Sequence, residues 1–198
     1  MIKAVIFDLG GTVVDWSDDI TWRYIAGRFH LDYSYTKKRL DHFVTLRETN
    51  SIEEKRMWEI FFRSVHISLP KDYKVLMSHK FEKNAKLNNG VIKLIKQLKN
   101  KGYRIGLISN IESSHERTIR KRGLLKYFGV VVLSNKVKVR KPNKKIYKIA
   151  LEKIKVKPEE AIFIDNLKEN VIGARKAGMK SIWFKNAKQL GKDLKKYL

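Results

Sequence analysis

From residue 89 onward the chain alternates short apolar runs with amphipathic stretches, and no other feature limits its fold as strongly. Residues 90–101 put Val91, Leu94, Ile95 and Leu98 on one helical face. Residues 103–108 read as a strand running into Ser109-Asn110, and Ser113-x-x-Glu116 opens a helix that stops near Gly123. A strand at 130–133, a helix at 143–155 carrying Ile146, Ile149, Ala150 and Ile154, and a strand at 161–164 ending on Asp165 come next. A helix at 168–177, a strand at 181–184 and a basic helix at 187–196 complete the series. Strand after helix after strand predicts an α/β fold, a doubly wound parallel sheet with crossover helices.

One further strand lies far away, at residues 3–8, where Ala4-Val5-Ile6-Phe7 ends on Asp8 and runs into Leu9-Gly10-Gly11-Thr12. Between it and the alternating region, residues 17–88 show helical patterns and no convincing strand. Ser17 or Asp18 is the expected cap of a helix carrying Ile20, Tyr24, Ile25 and Phe29, and Ser34 of one carrying Leu40, Phe43, Val44 and Leu46. Ser51-Ile-Glu-Glu54 has the spacing of a capping box before Met57, Trp58, Phe61 and Phe62, and Pro70 suits a first helical turn before Tyr73, Leu76, Met77 and Phe81. The expected organisation is a core from residues 1–16 and 89–198, with a helical insertion at 17–88.

Charge bears on the partners. The chain has 44 basic and 20 acidic residues, net +24, yet residues 1–34 hold three basic and five acidic side chains. Such a field attracts anions and polyanions at low salt, but there is no charged tail and no nucleic-acid module motif, so most lysines are read as solvated helix faces. The absence of cysteine excludes disulfides, thiolate metal sites and thiol nucleophiles. No apolar stretch is long enough for a membrane span, and the N-terminus does not read as a secretory signal, so the cytoplasm is the expected location.

Parallel sheets place ligands beyond the carboxyl ends of their strands. Here those ends offer Asp8 with its double glycine, Ser109-Asn110, the segment Val139-Arg140-Lys141-Pro142, and Asp165-Asn166. An aspartate is able to attack phosphorus or carbon, two carboxylates are able to share a hard cation such as Mg²⁺, and a hydroxyl and an ammonium suit phosphate oxygens. Each piece also has a plainer reading: Asp8 or Asp165 as a turn or cap residue, Ser109-Asn110 as a turn, Lys141 as one lysine among many.

Taken in order, "VIFDLGGTVVD", "GLISN", "RKPNKKIYKIALEKIKVKPEEAIFIDN" and "FIDNLKENVIGARKAGMKSIWF" resemble the four motifs of the haloacid dehalogenase superfamily. The resemblance covers residues 1–16 and 89–185, and the helical insertion resembles that family's C1 cap in position and length. It implies a Rossmann-like core with a small α-helical cap and a hydrolase, a Mg²⁺-dependent phosphatase acting on a small phosphorylated metabolite. It implies Asp8 as nucleophile forming an aspartyl-phosphate, and Asp8, Asp165 and the carbonyl of Gly10 as metal ligands. Ser109 and Lys141 are implied to bind the phosphoryl group, Gly11 and Thr12 to shape the loop around it, Asn110 to orient substrate, and Asn166 and Glu169 to support the metal shell.

The match fails at Gly10, where phosphatases of the family usually carry a second Asp that protonates the leaving oxygen and then activates water. General acid–base help is worth roughly 10²–10⁴-fold. Three readings follow: a phosphohydrolase with another proton donor, a 2-haloacid dehalogenase, or a catalytically weak member that binds phosphate or a protein partner. Asp15, Glu169, His30, His42 and His66 are the candidate donors, and Trp16, Trp22, Phe43, Trp58 and Phe62 are the aromatics available to line a capped pocket. A monomer or weak dimer is expected, and a nucleic-acid end is a minor alternative substrate.

Overall fold

The computed structural model describes all 198 residues. Its strands are β1 (Ala4–Phe7), β2 (Val14–Asp15), β3 (Lys86–Leu87), β4 (Arg104–Ser109), β5 (Val130–Leu133), β6 (Ala161–Asp165) and β7 (Lys180–Trp183). Its helices are α1 (Asp19–Arg28), α2 (Tyr33–Arg47), α3 (Glu54–Ser64), α4 (Tyr73–Asn84), α5 (Asn89–Asn100), α6 (Ser113–Lys121), α7 (Ser134–Val137), α8 (Lys144–Ile154), α9 (Lys168–Lys176) and α10 (Ala187–Leu194).

The main sheet has the order β5-β4-β1-β6-β7, and every pair in it is parallel. The strand from the far N-terminus lies in the middle because its apolar run suits burial on both faces. Alternation along β1 sends Val5 and Phe7 into one core cluster, with residues of α5, α6 and α10, and Ala4 and Ile6 into the opposite cluster, with residues of α8 and α9. Register pairs Phe7 with Leu107 on one side and Ile164 on the other, so the tips of β1, β4 and β6 finish together. That alignment brings Asp8, Ser109 and Asp165 to the same edge of the sheet.

The four helices α1 to α4 pack around their own core of Trp22, Ile25, Leu40, Phe43, Trp58, Phe61 and Phe62 with their neighbours. Their two connections to the sheet run side by side as β2 and β3, an antiparallel two-residue pair whose second member lies within residues 17–88, the stretch read from sequence as strand-free. So short a pair carries no periodic signal. No helix is long and apolar enough to cross a membrane.

The helix starts differ from expectation. Asp32, not Ser34, caps α2, its side chain accepting from the Tyr35 amide at 2.7 Å. Glu53 takes the cap position of α3, and the Ser51 hydroxyl bonds Thr49 instead of closing a capping box. Helix α4 begins after Asp72, so Pro70 lies outside its first turn. Asp18 holds the cap position of α1, but its carboxylate accepts from Trp16 Nε1 at 2.9 Å rather than from the backbone. The buried stripe of α1 is Thr21, Trp22, Ile25 and Ala26, which leaves Ile20 exposed. Ser51 and Asp18 each spend their side chain on a neighbouring side chain instead of on a helix start.

Candidate active site

The main chain of Asp8 is pinned by the sheet, its amide donating to Ile164 O at 2.8 Å. The loop that follows is tight. The amides of Val13 and Val14 both donate to Leu9 O, and Gly11 N donates to Val14 O at 2.7 Å. Gly11 has φ +74, and a Cβ there would stand 2.5 Å from Asn166 Nδ2, so only glycine fits against the β6 tip. Thr12 is buried with no partner for its hydroxyl.

Lys141 joins the two strand-end carboxylates. Its Nζ donates to Asp8 Oδ1 at 2.5 Å and to Asp165 Oδ2 at 2.7 Å, and all three side chains are buried. One ammonium touches both carboxylates, so the two lie within reach of a common cation. Asn110 holds this lysine from behind: its Oδ1 accepts from Lys141 N at 2.8 Å and its Nδ2 donates to Lys141 O at 3.1 Å. Asp165 is fixed further by the Leu167 amide at 2.8 Å and by Asn170 Nδ2 at 3.0 Å, and the Asn170 carbonyl in turn accepts from the Tyr147 hydroxyl.

Burial pushes the Asp8 carboxyl up to about 7; Lys141 opposes the rise, and the Asp165 charge adds to it. Burial alone would lower the Lys141 ammonium, but the two carboxylates outweigh it and hold it above the usual lysine range. Once both carboxyls are ionised, two carboxylates against one ammonium leave an unbalanced negative charge, in a set of oxygen donors suited to a small hard cation. No three His, Cys, Asp or Glu side chains converge as a metal group. A cation here would therefore combine the two carboxylates with main-chain and water oxygens.

These residues form the floor of a cleft of about 730 Å³ between the sheet edge and the helical insertion. Asp8, Gly10, Asn110, Lys141, Asp165 and Asn166 line it, whereas Gly11, Thr12 and Ser109 do not. The Ser109 hydroxyl is buried and donates to Asn110 O at 3.3 Å. From the insertion come Trp22, Lys37, Asp41, Val44, Glu48, Met77 and Phe81. Trp16 and Trp22 line the cleft as expected, but Phe43, Trp58 and Phe62 are packed in the core of the insertion. None of the expected proton donors Asp15, Glu169, His30, His42 and His66 reaches the cleft; all five are exposed elsewhere. His30 and His66 sit at positive φ just past helix ends, a turn role.

Several lining residues were not anticipated. Asn170 stands in the first turn of α9, the i+5 partner of Asp165, and that spacing after a strand-end Asp was the available signal. Arg140 was in view beside Lys141, but its partner Glu48, at 2.6 Å, is 92 positions away. Glu112 accepts from the Ser114 and His115 amides and meets Arg47 of the insertion at 3.2 Å. With Asn50 Nδ2 donating to Asn135 O at 2.9 Å, these contacts dock the end of α2 over the strand tips.

A model of the haloacid dehalogenase-like hydrolases matches residues 5–184. Over 108 residues, 53% of this chain and 45% of the relative's length, the sequence is 40% identical to a glyceraldehyde 3-phosphate phosphatase of Pyrococcus furiosus. Over 194 residues, 92% of this chain and 85% of the relative, it is 30% identical to a glyceraldehyde 3-phosphate phosphatase of Methanothermobacter thermautotrophicus. A magnesium complex of a family enzyme from Bacteroides thetaiotaomicron has the same fold, with a TM-score of 0.77 at 19% identity, over 93% of this chain and 94% of that one. With the family model spanning the central strand, the helical insertion and all four strand-end segments, the chain belongs to the haloacid dehalogenase-like hydrolase family.

Proposed function

We propose that the protein is a Mg²⁺-dependent phosphohydrolase that removes the phosphoryl group from a small phosphorylated metabolite through an aspartyl-phosphate on Asp8. The observation that carries this reading is the buried Asp8–Lys141–Asp165 cluster at the floor of the capped cleft. Asp8 is the nucleophile: its carboxylate forms a bond to phosphorus as the bond to the leaving oxygen breaks. Water then attacks the acyl-phosphate, and Asp8 is regenerated. Lys141 keeps Asp8 aligned and faces the charge that gathers on the phosphoryl oxygens. Asp8, Asp165 and the Gly10 carbonyl would hold Mg²⁺, and the net negative charge and hard oxygen donors of the site fit that ion. When bound, the ion offsets negative charge on the transferred group. Asn110 and Asn170 position Lys141 and Asp165, and the insertion excludes water from the floor.

Size and charge support a compact substrate. Seven of the residues lining the cleft are Asp or Glu and three are Lys or Arg, in a chain of net +24. A polyanion drawn to the basic exterior would meet an acidic rim at the cleft, which disfavours a nucleic-acid end. The two curated relatives described above are named for a three-carbon sugar phosphate, and a substrate of that scale suits a cleft of about 730 Å³.

The test is release of phosphate from p-nitrophenyl phosphate and from a panel of phosphorylated metabolites, with Mg²⁺ and with chelator. Turnover that needs Mg²⁺ and disappears in Asp8→Asn is the expected result. The variant should melt no lower than wild type in chelator at pH 8, because it removes a carboxylate whose charged form burial disfavours. Turnover that survives Asp8→Asn refutes the covalent route.

A further inference from the structure

A phosphohydrolase of this design needs a proton donor for the leaving oxygen, and Gly10 supplies none. The space for one is open, since a Cβ built on Gly10 meets nothing within 4 Å. Apart from Asp8 and Asp165, five carboxyls and one imidazole line the cleft: Asp18, Asp19, Asp41, Glu48, Glu112 and His115. Most are already committed. Asp19 is held by Arg23 and Tyr33, and Asp41 by Trp22 Nε1 and Lys37. Glu112 uses both oxygens on the first turn of α6 and on Arg47. The His115 ring stacks on Phe81, its Nε2 against Met77 O. Asp18 accepts from Trp16 Nε1.

Asp18 also keeps one oxygen free but is only half-buried, whereas Glu48 alone among the six is buried and keeps an oxygen without a partner. It ends α2 directly over the strand tips and is 8% exposed, with Arg140 Nε bonded to Oε2 and no partner on Oε1. Arg140 is the residue before Lys141, so the pairing brings the Glu48 carboxyl to the neighbourhood of the lysine that grips the nucleophile. We infer that Glu48, carried by the cap, is the general acid and base of this enzyme, in the role that an Asp at position 10 would otherwise fill. The inference rests on the phosphohydrolase reading above. Its carboxyl gives a proton to the leaving oxygen as the phosphorus–oxygen bond breaks and the bond to Asp8 forms. The resulting carboxylate takes a proton from the water that attacks the acyl-phosphate, which returns Glu48 to its starting state and frees phosphate and Asp8. Burial favours the protonated carboxyl, Arg140 and Lys141 oppose it, and Asp18 adds to the rise. Because the group sits on the cap, proton transfer is available only while α2 is docked, which ties chemistry to closure.

The experiment compares wild type, Glu48→Gln, Gly10→Asp and the double variant on p-nitrophenyl phosphate and on alkyl phosphates. p-Nitrophenolate leaves without a proton, whereas an alkoxide does not. Glu48→Gln is expected to lower kcat/KM for alkyl phosphates by about 10²–10⁴-fold and for p-nitrophenyl phosphate by less than about tenfold. Adding Gly10→Asp to Glu48→Gln is expected to restore about 10²-fold or more on alkyl phosphates, while Gly10→Asp alone raises them by less than about tenfold. A merely structural Glu48 would slow both substrates alike, and Gly10→Asp would rescue neither; that result overturns the assignment. Wild-type turnover of p-nitrophenyl phosphate with none on any alkyl phosphate overturns it as well. No turnover of either by wild type removes the phosphohydrolase reading itself, and the role of Glu48 with it.

Discussion

Replacing Glu112 by Gln tests how the helical insertion is held to the sheet. Glu112 follows the β4 tip and is 2% exposed. One oxygen accepts from Ser114 N at 2.8 Å and Arg47 Nη2 at 3.2 Å, and the other from His115 N at 2.6 Å and the Ser114 hydroxyl. An amide of the same size satisfies some of these donors but turns an NH₂ toward others, and it leaves the buried Arg47 with Glu54, at 3.6 Å, as its one counter-charge and the Ile52 carbonyl, at 3.2 Å, as a neutral acceptor. Breaking a buried pair on one side costs about 3–5 kcal/mol, and the remaining Glu54 contact places the loss near 3 kcal/mol. For a chain of this length that is a fall in Tm of roughly 6–12 °C. The loss depends on pH in a definite direction. Burial alone would raise the Glu112 carboxyl, but the neighbouring His115 ring and the hydrogen bonds from Ser114 and His115 outweigh it, so the folded-state value lies below the usual Glu range. Above the unfolded value of about 4.5 both states are ionised and the stabilisation is complete. As pH falls through the lower folded-state value, the wild type loses it too, and the gap between wild type and variant closes. Urea unfolding at pH 7 and at pH 3.5 measures both gaps. A gap under about 1 kcal/mol at pH 7, or one as large at pH 3.5 as at pH 7, refutes this account of the clamp.

Two more substitutions probe the floor of the site. A Cβ on Gly173 would stand 2.8 Å from Pro142 O and 2.9 Å from the Tyr147 hydroxyl, so Gly173→Ala must push α9 away from the segment carrying Lys141. It is expected to cost about 1–3 kcal/mol and to lower p-nitrophenyl phosphate turnover, read by melting and by steady-state rates. Lys141→Met leaves Asp8 and Asp165 buried without their counter-ion, an expected loss of about 3–5 kcal/mol in chelator. Mg²⁺ should raise the Tm of that variant by more than it raises the wild type's, and an equal shift in calorimetry would count against metal binding between the two carboxylates.

The core was legible because its strands repeat a strong local signal. Runs such as Ala4–Phe7 and residues 161–164 are apolar throughout, as strands covered on both faces must be, and the polar residue that follows each run, Asp8 or Asp165, marks the working edge of the sheet. The helical insertion was legible only as helices. Its starts depend on which of two nearby polar residues is selected, Asp32 or Ser34, Glu53 or Ser51, and packing decides that choice. The cleft wall was less legible still. Glu48 with Arg140, and Arg47 with Glu112, are separated by 92 and 65 positions, so no periodicity connects them. Histidines drew notice as proton carriers by residue type, but His30, His42 and His66 face solvent while His115, inside the cleft wall, carried no local pattern.

The uneven charge has a structural cause. Residues 1–34 are acidic in a strongly basic chain, and Asp8, Asp18 and Asp19 from that stretch all line the cleft. Asp41, Glu48, Glu112 and Asp165 join them from segments that are otherwise rich in lysine. The basic excess therefore lies outside the cleft, where it attracts anions over a range of about one Debye length, roughly 8 Å at physiological ionic strength. Inside, the balance reverses, so a phosphorylated ligand gains from the exterior field on approach and needs added positive charge at the floor to bind. A divalent cation beside Asp8 and Asp165 would supply that charge, so ligand and ion should bind together. Titrating inorganic phosphate with and without Mg²⁺ measures the coupling, and phosphate affinity that does not change with Mg²⁺ would rule out a shared site.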